Sequence, residues 1–184
     1  MVYVCFTGID GSGKSSIIKL IKESGEIDAV YTKEPYNQSI KREYMNVYPE
    51  TASYLFAADR FAHMKEVIIP AIKEKKTIIS DRCYICNLAY QGCDGVNQDW
   101  IEKIQPENLV KPDVVIFLNC DSGVAAKRSG ETDILRLFKI QQNYTKIIIN
   151  MCKKTEAFMF DTTKKESKQK IANDIIDIIK DSLS

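Results

Sequence analysis

The chain opens Met1-Val2-Tyr3-Val4-Cys5-Phe6-Thr7-Gly8-Ile9-Asp10-Gly11-Ser12-Gly13-Lys14-Ser15. Val2 to Phe6 is an uninterrupted apolar run, the pattern of a strand covered on both faces. Gly8 to Ser15 follows as G-x-x-x-x-G-K-S, the phosphate-binding Walker A pattern. Ile17, Ile18, Leu20 and Ile21 then recur at helical spacing. The loop therefore joins a strand to a helix. Its glycines let backbone N–H groups turn inward around phosphate oxygens, and the helix N-terminus adds partial positive charge. Lys14 can reach the outer phosphates and Ser15 can hold Mg²⁺. The competing reading is a Gly/Ser turn that binds nothing; the strand–loop–helix context weighs against it.

Working outward, strand-like runs alternate with helical patterns. The strands are expected at Val2–Phe6, Ala29–Thr32, Thr77–Ser80, Val114–Leu118 and Ala157–Phe160, and the helices near 14–24, 38–46, 51–75, 84–91, 99–105, 122–128, 133–152 and 166–182. Such alternation predicts an α/β fold: a five-stranded parallel sheet with helices on both faces. Right-handed crossovers then bring the C-terminal strand ends, and with them the P-loop, to one rim. Residues 93–98 are expected to form an exposed loop, and 127–133 a mobile charged connector.

At 184 residues the chain suits one domain, 1–184, with a full core. Its 26 basic and 25 acidic residues give a net charge of +1. There is no global pull toward nucleic acid or an anionic membrane, so any anion site must be local. No apolar stretch is long enough to span a bilayer. The N-terminus runs straight into strand and P-loop, so a cytoplasmic protein without a signal peptide is expected. In that setting the six cysteines are expected to be reduced. Cys83 and Cys86 form a C-x-x-C, but His63 is the only histidine and no second pair sits at zinc-ligand spacing. They read as small helix residues.

Asp81-Arg82 ends the strand-like run Thr77-Ile78-Ile79-Ser80 and so faces the P-loop rim. Asp81 could hold Mg²⁺ through water, and Arg82 a second anion bidentately. The alternative is an ion pair capping the next helix. Phe56 and Arg60 stand i and i+4 on a helix and share a face. A ring and a guanidinium so placed can stack on a base and bond its edge, though by spacing alone Phe56 reads as core and Arg60 as solvated surface.

Taken together, the motifs resemble those of thymidylate kinases, a branch of the P-loop nucleoside-monophosphate kinases. Four segments match in order: Phe6 to Ser15, Thr32-Lys33-Glu34-Pro35, Leu55 to Arg60, and Asp81 to Gly92. Lys111-Pro112-Asp113 and Phe160-Asp161 match as well. The resemblance implies a P-loop kinase fold with a short lid near 127–136, transferring the γ-phosphoryl group of ATP to dTMP with Mg²⁺. The implied ATP-binding residues are Gly8, Asp10, Gly11, Ser12, Gly13, Lys14, Ser15 and Ser16, with Ser15 and Asp81 on the metal side. Phe56 would stack on thymine while Arg60 and Asn87 read its edge. Arg82 would hold the acceptor phosphate, with Arg42 as a second ligand. Tyr90 would pack beneath the deoxyribose, and Asp10 would approach the sugar 3′-hydroxyl or the metal. The implied assembly is a homodimer.

The chain departs from the family pattern at Thr7, Lys33, Cys83 and Cys86, and residues 36–48 are shorter than usual. Gly11 stands where a P-loop arginine would, so a lid cation must meet the transition-state charge. Lys14, Arg82, Asp10 and Arg128 form the expected catalytic set, with Arg136 as second lid candidate. A kinase for another deoxynucleotide or a deoxynucleoside, or a catalytically weak regulatory nucleotide binder, are the rival readings.

Overall fold

A computed structural model describes residues 1–38, 47–151, 156–164 and 168–183. Arg42 and nearly all of the helix expected at 38–46 lie outside the described residues. The strands are β1 (Tyr3–Thr7), β2 (Ala29–Lys33), β3 (Thr77–Asp81), β4 (Val114–Asn119) and β5 (Glu156–Asp161). They form one sheet in the order β2-β3-β1-β4-β5, and every pairing is parallel. The helices are α1 (Lys14–Ser24), α2 (Pro49–His63), α3 (Ile69–Lys73), α4 (Tyr84–Cys93), α5 (Gln98–Lys103), α6 (Ser122–Ser129), α7 (Ile134–Met151) and α8 (Lys168–Asp181).

Alternation along the central strands fills two core layers. Cys5, Val115 and Phe117 point to one face, where Ile85, Leu88, Ile140 and Tyr144 from α4 and α7 cover them. Val4, Phe6, Ile116 and Leu118 point to the other, against Ile17 and Ile21 of α1 and Ile171, Ile175 and Ile179 of α8. Burying each such side chain contributes roughly 1.5–3 kcal/mol relative to exposure, so the two layers hold the sheet between helices.

A π-helical turn, Met64–Ile68, links α2 to α3. Pro70 follows it; a proline there lacks an N–H and crowds the carbonyl four residues back, and the wider turn accommodates both. The loop expected at 93–98 is shorter, and Val96 is buried rather than exposed. The region 127–136 is helical at both ends, which leaves residues 130–133 between α6 and α7.

The chain runs from β1 out to β2, returns through β3, and crosses to β4 and β5 on the other side of β1. Open parallel sheets place their ligand site at such a reversal, outside the C-terminal strand ends. Phe6 pairs with Asp81 and Thr7 with Phe117, so the P-loop, Asp81-Arg82 and the end of β4 share that rim.

Candidate active site

The P-loop wraps tightly around the end of β4 and the start of α6. Gly8 (φ 139°) leaves only 2.6 Å between an added Cβ and the Leu118 carbonyl, and Gly11 (φ 79°) only 2.1 Å to the Ala125 carbonyl. Both are positive-φ positions where a side chain meets backbone. An arginine at position 11 is thus excluded by shape, and charge must come from elsewhere.

Lys14 is 6% exposed at the start of α1. Its Nζ donates to the Gly8 carbonyl at 2.9 Å, the Ile9 carbonyl at 2.8 Å and Ser12 Oγ at 3.3 Å. Burial, helped by the Arg82 charge and opposed by Asp81 and Asp10, lowers its pKa to about 8. Ser15 Oγ donates to Asp81 Oδ2 at 2.9 Å. The other oxygen, Asp81 Oδ1, is buried with no hydrogen-bond partner among the described residues. A buried carboxylate oxygen that lacks a donor, next to a serine hydroxyl, is an oxygen set suited to Mg²⁺.

Asp81 and Arg82 do not pair with each other as a helix cap. Arg82 (φ 82°) has its N–H on the Phe6 carbonyl at 2.9 Å and its Nη2 on Asp10 Oδ1. Its guanidinium lies 5.4 Å from the Tyr90 ring centroid. Tyr90 Oη donates to Asp10 Oδ2 and accepts from the Asp10 N–H, both at 3.2 Å. Burial pushes the Tyr90 phenol up to about 12, so it remains a hydroxyl.

Arg60 is buried rather than a solvated face. Its Nε and Nη2 donate to Glu34 Oε2 at 3.0 and 2.7 Å, and its Nη1 donates to Gln105 Oε1. Glu34 Oε1 faces His63 Nδ1 at 3.3 Å, and His63 Nε2 meets Thr32 Oγ1 at 2.7 Å. Burial pushes the Glu34 carboxyl up, but Arg60 and His63 outweigh it and hold it below its ordinary value. Asn87 is buried: its Nδ2 donates to Ser53 Oγ at 3.4 Å and Gln91 Oε1 at 2.9 Å, and its Oδ1 accepts from Gln105 Nε2 at 3.4 Å. Phe56 is half-buried on α2, one turn from Arg60.

The lid candidates stand apart. Arg128, in the last turn of α6, donates to the Thr162 carbonyl at 2.9 Å; Thr162 Oγ1 in turn donates to the Ser12 carbonyl at 2.9 Å. Arg128 is therefore linked to the P-loop through one residue. Arg136 is clamped on Asp94, by Nε at 3.1 Å and Nη2 at 2.8 Å. Cys83 and Cys86 lie buried under the site; Cys86 Sγ is 3.4 Å from Thr7 Oγ1.

Sequence reasoning missed Glu34, His63 and Gln105. Glu34 lies inside the segment Thr32-Lys33-Glu34-Pro35 but was given no role there, and a histidine three residues after Arg60 on the same helix face was a usable signal. Gln105 carried none, since it lies 45 residues from Arg60 in an irregular segment.

A profile of the thymidylate kinase family matches residues 6–175. The chain is similar to a probable thymidylate kinase of Methanocaldococcus jannaschii, at 35% identity over 97% of this chain and 96% of the relative. It is similar to probable thymidylate kinase 1 of Saccharolobus solfataricus, at 32% over 98% and 97%. A thymidylate kinase of Brachyspira hyodysenteriae is 31% identical over 97% and 93%. The resemblance in the motifs thus extends along nearly the whole length of this chain and of each relative, and the chain belongs to the thymidylate kinase family.

Proposed function

We propose that the protein transfers the γ-phosphoryl group of ATP to dTMP, giving dTDP and ADP. One observation carries this reading: the P-loop and the candidate acceptor site are a single hydrogen-bonded unit. Asp10, inside the loop, bonds both Arg82 and Tyr90, while Ser15 bonds Asp81. Two phosphate-binding groups on one rim favour transfer between two nucleotides over binding of one.

Lys14 would exchange the Gly8 and Ile9 carbonyls for phosphate oxygens of ATP. The loop amides and the N-terminus of α1 cradle the β-phosphate side. Ser15 and Asp81 would hold Mg²⁺, which supplies positive charge against the transferring oxygens. Arg82 would hold the dTMP phosphate, and Tyr90 the sugar. Little covalent chemistry is asked of the protein, so positioning and charge stabilisation carry the rate. Arg128 would complete the charge from the side of Thr162.

Base choice follows from donor counting. Glu34 and Gln105 engage three Arg60 N–H groups, which leaves donors only. Asn87 uses both amide hydrogens internally, which leaves an acceptor lone pair. A donor beside an acceptor suits the O4 and N3–H of thymine and mismatches cytosine at both positions. Phe56 would stack on the ring.

The proposed setting is cytoplasmic, with ATP and dTMP as partners and no nucleic acid or membrane. Among the described residues no helix is long and apolar enough to cross a membrane. A homodimer is proposed, with Tyr54 and Phe61 exposed on α2 as apolar contacts. ADP release measured with ATP and each dNMP in turn tests the assignment. dTMP should give the highest kcat/KM; equal release with and without any dNMP would reject it.

A further inference from the structure

We propose that Gln105 is a positioning residue that sets base selectivity by holding Arg60 and Asn87 in opposite hydrogen-bonding roles. This rests on the dTMP reading of the site.

Gln105 follows α5 and is the one described side chain that bonds both residues. Its Oε1 accepts from Arg60 Nη1, and its Nε2 donates to Asn87 Oδ1 at 3.4 Å and to the Ile101 carbonyl at 2.8 Å. The carbonyl contact fixes which end of the carboxamide is the donor. That fixes Oε1 toward Arg60 and Nε2 toward Asn87. Asn87 must then present Oδ1 to Gln105 and direct Nδ2 at Gln91 and Ser53. The order runs from one backbone carbonyl through two amides, and buried networks of this kind hold one arrangement because the alternatives leave polar atoms unpaired. Inverting the Asn87 amide would put a donor where thymine offers N3–H. A pyrimidine with an acceptor at that position, as in dCMP, would then lose one of its two mismatches, the Arg60 donor against its amino group remaining.

Two substitutions separate the halves. Gln105→Glu keeps an acceptor for Arg60 but removes the donor to Asn87. Gln105→Leu removes both. The readout is the ratio of kcat/KM for dTMP to that for dCMP, with KM for ATP and the melting temperature measured alongside. A loss of one hydrogen bond's orienting effect corresponds to about tenfold. The ratio should narrow about tenfold in Gln105→Glu and further in Gln105→Leu, with KM for ATP within about twofold of wild type. A side chain that only braces the fold would lower the melting temperature and leave the ratio unmoved. An unchanged ratio in either variant, or failure of both to fold, would overturn the role of Gln105. If wild-type protein does not phosphorylate dTMP, the reading of the site fails first and this role fails with it.

Discussion

Arg60 and Glu34, 26 residues apart, form a buried ion pair in which Nε and Nη2 of the guanidinium share one carboxylate oxygen at 3.0 and 2.7 Å. Their side chains are 3% and 7% exposed. The geometry ties the turn after β2 to the helix that carries Phe56, so the proposed base site and the fold share a contact. Breaking a buried pair by removing one partner costs about 3–5 kcal/mol. Glu34→Gln is expected to lower the melting temperature and raise the dTMP KM well above its effect on ATP. The Glu34 carboxyl is held below its ordinary value, so its contribution is present above the unfolded carboxyl's pKa of about 4.3 and is lost as pH falls through the lower folded value. Stability against pH should therefore fall less steeply on the acid side in Glu34→Gln than in wild type. Superimposable acid limbs would show that the pair does not contribute.

Lys14 gives an alkaline signature. Its folded pKa, about 8, lies below the unfolded lysine value of about 10.4. Between these values the unfolded chain binds more protons, so this group's unfavourable burial is relieved and stability rises with pH. In the free enzyme the charged ammonium is lost above about pH 8, so kcat/KM for ATP should decline there. Bound phosphate favours the cation, so kcat should decline only at higher pH. Lys14→Ala should fold and lose transfer. A flat kcat/KM profile to pH 10 would remove Lys14 from the phosphate site.

Asp81 Oδ1 has no donor among the described residues, while Oδ2 accepts from the Ser15 hydroxyl. Asp81→Asn would replace a charged oxygen donor by a neutral amide, a poorer ligand for Mg²⁺. The Mg²⁺ concentration for half-maximal activity should rise about tenfold or more, with a smaller change in dTMP KM. An unshifted Mg²⁺ titration would place the metal elsewhere.

The Tyr90 hydroxyl is bound to Asp10 from both sides. Tyr90→Phe removes the hydroxyl contacts to Asp10, leaves the Arg82–Asp10 pair in place, and should loosen the packing beneath the sugar that would disfavour a 2′-hydroxyl. Turnover of UMP and dUMP should converge by several-fold. Equal discrimination in both proteins would move sugar sensing to another residue.

Arg128 and Arg136 divide the role expected of a lid. Arg128 reaches the P-loop through Thr162, whereas Arg136 is held by Asp94 in a half-exposed pair. Half-exposed pairs contribute little, so Arg136 can leave at small cost. Arg128→Ala should lower kcat by up to about 10³-fold with little change in KM, the mark of a contact made in the transition state. Wild-type turnover in the Arg128→Ala, Arg136→Ala double variant would mean that neither arginine meets the developing charge.

The sheet was legible from local signals. Val2–Phe6 and Val114–Leu118 are buried on both faces and read as unbroken apolar runs, and the P-loop announces itself by spacing. Handedness then placed the C-terminal strand ends on one rim, whereas the order β2-β3-β1-β4-β5 comes from the structure. The proposed base site was only half legible. Phe56 and Arg60 could be placed on one face, but the pairing that buries Arg60 comes from Glu34 at a distance, and periodicity records no distant partner. Gln105 lay further out of reach, because nothing in its neighbours distinguishes it from any polar loop residue. The π turn before Pro70 was hidden for another reason: a longer helical register leaves the apolar spacing almost unchanged.

On this rim ATP and dTMP are proposed to become ADP and dTDP. Phosphorus NMR of the protein with Mg²⁺, ATP and dTMP follows both sides of that exchange at once. The β-phosphate resonance of ATP should decline as two new diphosphate spin systems grow in equal amounts, one of them dTDP, and Lys14→Ala should show neither. Growth of ADP and inorganic phosphate with the dTMP resonance unchanged would mean that the protein hydrolyses ATP and does not phosphorylate dTMP.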